Sequence, residues 1–290
     1  MKKIILNGCS WVAGDEIAWD LFCEQHNLVG EDYASFLERG GDPELFSKYQ
    51  NVFRKDYNQA SYLKRYLNTE IIDLSTDGMS NDALALSTID YILSLPKEQR
   101  SNYHVIVAWT LVHRLLTFLN PHWENIHVGH IENGLDSRMK KYERKIEPLV
   151  LLPDQEDWYV NYVKNVFLLE SFLKNNNVTY TFYRSLGALS EWIHRENDLT
   201  YKMKVRLPDS HHGVSLSHFT PDFVDCSNWL IFYPDQQNLA FCSDSWTSYC
   251  EDTQFGQWSI GPHNKHPHRK TTDLLSQILS KHIIDKGYLE

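Results

Sequence analysis

The run His104-Val105-Ile106-Val107-Ala108-Trp109 constrains the fold more than any other stretch of the chain. It is almost wholly apolar, so it reads as a strand buried on both faces, which is how strands of a parallel sheet look. Three further short runs read as strands: Lys3 to Asn7, closed by Gly8; Glu70 to Leu74; and Val178 to Tyr183. Helical patterns alternate with them. Residues 14–28 hold one, and Tyr57 to Leu67 a second, with Tyr62, Leu63, Tyr66 and Leu67 on one face. Asp82 to Leu95 is a third, capped by Ser80 or Asn81 and stopped by Pro96. Trp158 to Lys174 and Thr271 to Ile284 complete the set. Strands alternating with helices imply βαβ units, hence an α/β fold: a three-layer α/β/α sandwich around a mainly parallel sheet.

Three stretches break this rhythm. Residues 29–57 are polar, with Gly40-Gly41-Asp42-Pro43 as a loop marker. Residues 115–157 are punctuated by Pro and Gly and carry a charged run from Arg138 to Lys145. Residues 187–260 are rich in Trp, Tyr, His and Asp, with an edge strand expected at Trp229 to Tyr233. The last two read as insertions at about 115–157 and 187–260 in a single domain spanning 1–290.

Composition narrows the function. With 28 basic against 38 acidic residues the net charge is −10, and phosphate contacts need clustered Lys and Arg, so a nucleic-acid partner is not expected. Five cysteines, at 9, 23, 226, 242 and 250, form no Cys-x-x-Cys pair, which argues for reduced thiols in a cytoplasmic protein. Met1-Lys2-Lys3 resembles the start of a signal peptide, but the apolar run after it falls far short of the roughly 7–15 residues an export signal needs. No run approaches the roughly 18 apolar residues of a membrane span.

In an open α/β sheet, ligands bind at the carboxyl ends of the strands. Polar turns stand at three such ends: Asn7-Gly8-Cys9-Ser10, Thr76-Asp77-Gly78-Met79-Ser80-Asn81, and Thr110 to Arg114. A fourth polar segment, Gly261 to His268, precedes the last helix. A Ser on one turn and a His on a late loop supply what nucleophilic acyl transfer requires: a hydroxyl, a base for its proton and donors for an oxyanion. Gly8-Cys9-Ser10-Trp11-Val12 lacks the second Gly of the α/β-hydrolase elbow. Neither a P-loop nor a dinucleotide fingerprint is present. His122, His127 and His130, and likewise His211, His212 and His218, lack the spacing of zinc ligands, so no metal is expected. Arg114, at a strand end, is a candidate contact for a substrate carboxylate or phosphate.

These motifs together resemble the SGNH/GDSL hydrolases. Asn7 to Glu16 resembles the family's first block, in the variant with Cys before the Ser. Asp77-Gly78-Met79-Ser80-Asn81 resembles the second, Val105 to Thr110 the third-block strand, and His266-Pro267 the last. The blocks keep the family's order across residues 4–284, and such variants are common in bacteria and bacteriophages. The resemblance implies a flavodoxin-like topology and an esterase without cofactor. It makes Ser10 the nucleophile, His266 the base, and the Ser10 and Gly78 N–H groups part of the oxyanion hole. Two positions depart from the pattern. Ala108-Trp109-Thr110-Leu111 holds no third-block Asn, so Asn81 or Thr110 would complete the hole. His263 and Asn264 stand where the family has its acid, leaving Asp244, Glu251 and Asp252 as candidates, with Asp244 and Asp252 first. The expected partner is a small-molecule or carbohydrate ester, with the acyl or acetyl group on a sugar or lipid. The departures keep open a non-catalytic module that binds a glycan or a protein, and an acyltransferase using the same Ser-His pair stays open because the insertions choose the acceptor.

Overall fold

In the computed structural model the described residues are 2–14, 17, 19–28, 33–112, 114–119, 122–126, 143, 146, 155–186, 225–232, 245–253 and 266–290. Four strands form one parallel sheet: β1 (Lys3–Asn7), β2 (Ile71–Asp73), β3 (Tyr103–Trp109) and a late strand, Thr179–Arg184. Their order places β1 between β2 and β3, with the late strand beyond β3. Register aligns Ile4 with Ile71, Ile5 with Val105 and Val107 with Phe182. Every side chain of β3 is buried, as its apolar run requires.

The connections supply the outer layers. Between β1 and β2 lie α1 (Ser10–Ala13), α2 (Trp19–His26), α3 (Tyr33–Glu38), α4 (Pro43–Tyr57) and α5 (Gln59–Leu67). Next comes α6 (Asn81–Ser94), with Ser80 as its cap, the Ser80 hydroxyl accepting from the Ala83 N–H. After β3 follow β4 (Leu115–Leu119), β5 (His122–Ile126) and α7 (Gln155–Asn175), so the late sheet strand is β6. The chain continues through α8 (Trp246–Thr253) to α9 (Arg269–Asp285). Helices α5 and α9 pack together, as do α6 and α7. Tyr66 of α5 hydrogen-bonds Asp273 of α9, and Trp109 stands edge-on to both Tyr162 of α7 and Phe182 of β6.

Two expectations need correction, and a third gains detail. Residues 29–57 are not merely a polar loop: Asp42 caps α4, accepting from the Glu44 N–H, and Pro43 begins the helix. Helices α2 to α4 form a small core of their own around Trp19, Phe22, Phe36 and Phe46, whose rings meet mostly edge to face. The stretch after residue 115 opens with an antiparallel hairpin, in which Leu115 faces Ile126 and Thr117 faces Glu124. The edge strand expected at 229–233 reduces, among the described residues, to one parallel bridge between Trp229 and Phe182. Most of the expected insertion at 187–260 lies outside the described residues. Among the described residues, no helix is long and apolar enough to cross a membrane.

At the sheet's amino edge His104 is fully buried, its ring nitrogens 3.0 and 3.1 Å from the Thr179 and Thr181 hydroxyls. Burial pushes its pKa down to about 3, with the Lys2 and His282 charges adding to the effect. His282, which shares the Tyr288 ring as an aromatic neighbour with His104, is pushed down to about 4, again mainly by burial. Both folded values lie below the unfolded one, so the fold favours the neutral rings. Their contribution is complete above pH 6.5 and is lost as pH falls towards 4 and then 3. For His104 this predicts a loss of about 2 kcal/mol in unfolding free energy between pH 7 and pH 5. Urea unfolding at the two pH values measures it, and His104→Gln should remove that part of the slope.

Candidate active site

The turn after β1 is shaped by close approach. A Cβ on Gly8 would lie 2.3 Å from Val12 Cγ2 and 3.1 Å from Ala108 Cβ, so only glycine lets α1 lie this close to β3. Asn7 anchors the strand end: its amide donates to the Leu84 carbonyl and the Ser87 and Thr88 hydroxyls at 2.9–3.2 Å. Cys9 is buried, and its Sγ lies 4.0 Å from Ser185 Oγ, a packing contact. Ser10 is the first residue of α1, which Gly14 ends after a single turn with φ at +79°.

Across the chain, His266 stands three residues before α9. Its Nε2 lies 3.0 Å from Ser10 Oγ. Two residues 256 positions apart are thus in hydrogen-bond reach at the carboxyl edge of the sheet. For Nε2 to accept the hydroxyl proton, the ring's own proton must sit on Nδ1.

The turn after β2 lies beside α1. The Thr76 N–H donates to the Gly8 carbonyl at 3.1 Å. Gly78 has φ at +73°, the left-handed conformation that favours glycine. Asp73, at the end of β2, has its carboxyl pKa raised by burial despite hydrogen bonds from Ser75 and Asn58. Asn81 is buried, and its carboxamide faces the backbone after β3. Its Oδ1 accepts from the Thr110 N–H at 2.9 Å, and its Nδ2 donates to the Thr110 and Leu111 carbonyls at 3.3 Å. Peptide groups at 110–111 thus engage both ends of the amide of Asn81, the residue expected to complete the oxyanion hole.

Thr110 differs. It is fully buried, yet its hydroxyl has no hydrogen-bond partner among the described residues. An unmade bond at a buried hydroxyl costs on the order of 1–3 kcal/mol. Arg114 is half-buried beside the β2 turn, with Nη1 3.5 Å from the Met79 carbonyl. Asp244 lies outside the described residues, and so do the side chains of Glu251 and Asp252 on α8. Of the histidines weighed as metal ligands, His122 begins β5 and the other five lie outside the described residues, and among the described residues no three His, Cys, Asp or Glu side chains form a group that could hold a metal.

A narrow cavity is walled by Trp11 and Pro267, the chain neighbours of Ser10 and His266, together with Val12, Tyr183, Trp246 and Leu275. The start of α8 and the residue that follows His266 thus line the same cavity. Sequence reasoning missed two contributors to this edge. Arg54, on α4, donates from Nε to the Ala13 carbonyl at 2.6 Å and from both Nη atoms to Asp77 at 2.7 and 3.0 Å. Asn125, on β5, accepts from the Ser80 N–H at 2.9 Å. Both sit in segments read as loop or insertion. The one available signal was Asp42-Pro43, a helix start that would have carried the helical register to Arg54.

No protein-family model matches this chain, and no curated protein does. Among solved structures it is similar to an acetyl xylan esterase, Est2A, from the rumen bacterium Butyrivibrio proteoclasticus. The two share 10% identity at a TM-score of 0.43, over 99% of this chain and 65% of that one. The chain thus spans 65% of that esterase's length. The α/β assignment rests on the parallel sheet itself and its flanking helices.

Proposed function

We propose that the protein is a serine hydrolase that cleaves an ester, an acyl or acetyl group carried by a carbohydrate or lipid, through a Ser10 acyl-enzyme. The observation that carries this reading is the 3.0 Å approach of His266 Nε2 to Ser10 Oγ. As Oγ attacks the ester carbonyl carbon, Nε2 takes its proton. The carbonyl oxygen becomes an oxyanion, received by the Ser10 and Gly78 N–H groups and the Thr110 hydroxyl. Collapse breaks the bond to the alcohol, which leaves with the proton from His266. Water, deprotonated by the same nitrogen, then attacks the acyl-serine and releases the carboxylic acid, restoring both residues. Asn81 serves the hole indirectly, by fixing the peptide groups around Thr110. Arg114 contacts the substrate from beside the β2 turn.

Asp244 is the third residue in this reading. Trp246 and Pro267 line one cavity, which brings the chain just past 244 to the chain just past His266. Asp252 follows six residues along α8, about 9 Å farther at 1.5 Å per residue. A carboxylate on Nδ1 would hold the tautomer that the base requires.

A fluorophosphonate probe followed by peptide mass analysis tests the nucleophile. Ser10 is expected to be labelled, and Ser10→Ala to lose both the label and hydrolysis of p-nitrophenyl acetate. A folded wild-type protein that takes no label would overturn the reading and favour the glycan- or protein-binding module.

A further inference from the structure

We propose that Arg54 is a positioning residue for this reaction, its guanidinium locking the Ser10 helix to the Gly78 turn. The inference rests on the Ser10 acyl-enzyme reading. Arg54 Nε donates to the carbonyl of Ala13, the last residue of α1, at 2.6 Å. Its two terminal nitrogens grip both carboxylate oxygens of Asp77, at 2.7 and 3.0 Å. The peptide that joins Asp77 to Gly78 carries the N–H assigned to the oxyanion. One planar group therefore touches the helix that begins at the nucleophile and the residue next to the donor.

Neither partner can hold itself in place. Helix α1 has four residues, too few for a helix to persist on its own backbone bonds. The Gly78 turn has open space on its outer side, where a Cβ would meet nothing within 4 Å. The Thr76 to Gly8 bond ties the start of α1 to this turn, and Arg54 ties its end, so Ser10 is held between two bridges. Gly14 seals the arrangement from below: its Cα side presses on Asn58, where a Cβ would come within 2.9 Å of that side chain. Asn58 in turn donates to Asp73, at the end of β2, at 3.0 Å.

The chemistry needs this because the oxyanion donor must stand at a fixed place relative to Oγ, and a misplacement of about 1 Å costs on the order of 100-fold in rate. The pair itself is partly exposed, with 25% of the Arg54 and 45% of the Asp77 side chain accessible, so it adds little to global stability. Rate and stability should therefore separate. Lysine cannot replace the fork, since one ammonium cannot chelate a carboxylate and reach a carbonyl on the other side.

The test uses the full chain with Arg54→Lys, Arg54→Gln and Asp77→Asn. It measures p-nitrophenyl acetate hydrolysis, the rate of Ser10 labelling by fluorophosphonate, and the thermal melt. In all three variants kcat and the labelling rate per folded molecule should fall by about 10- to 100-fold. KM and the melting midpoint should stay near their wild-type values. Variants that label as fast as a labelled wild type would overturn the role of Arg54 and leave the Ser10 reading standing. Losses that track only the folded fraction would overturn it equally. A wild-type protein that takes no label would overturn both.

Discussion

His266→Ala is expected to lower turnover of p-nitrophenyl acetate by about 10⁴- to 10⁶-fold, the loss seen when a serine nucleophile is left without its base. Without Nε2 at 3.0 Å, the Ser10 hydroxyl keeps its proton and attacks as a poor nucleophile. The ring is only partly buried, so the melting midpoint should move by no more than a few degrees. Losing Ser10→Ala and His266→Ala together should cost little more than either alone, because the two act as one unit. A His266→Ala protein that keeps a tenth of the wild-type rate would remove His266 from the mechanism.

Thr110→Val should lower turnover by about 10²- to 10³-fold, the cost of one oxyanion donor, and at the same time leave stability unchanged or raised. The two signs have one cause. The Thr110 hydroxyl is buried without a partner among the described residues, so a methyl of the same shape removes an unsatisfied polar group from the fold. Asn81→Ala makes the opposite pattern visible. It breaks the three bonds to residues 110 and 111, and so should lower the melting midpoint as well as the rate. Thr110→Val with wild-type kcat would exclude the hydroxyl from the hole.

The sheet was legible because its signals are local. Four apolar runs each carry their own burial pattern, and β1, β2, β3 and β6 fall on them within a residue or two. Helices α5, α6, α7 and α9 were legible for the same reason, from caps and one-sided apolar faces. Helices α3 and α4 were not. Their apolar residues, Phe36, Phe46 and Tyr49, bury against Trp19 and Phe22 rather than against the sheet, so no strand neighbour announces them. The β4–β5 hairpin was hidden by the Pro and Gly that surround it. At the site, the Ser10 and His266 positions could be read from their turns, since each follows or precedes an element with a clear boundary. Arg54 could not, because a lone arginine in a helix says nothing about the carbonyl and carboxylate it will meet far along the chain. The contacts of Asn81 to residues 110 and 111 were hidden for the same reason: a side chain's direction is a tertiary fact.

The separation of Ser10 and His266 has a consequence for synthesis. On a ribosome, β1 and α1 emerge more than two hundred residues before α9. The hydroxyl is made early, but the imidazole proposed to activate it arrives only when α9 settles onto α5. A growing or C-terminally cut chain would therefore display the serine without its chemistry. On the proposed reading, reactivity would switch on as α9 docks, which makes Ser10 labelling a clock for that step of folding.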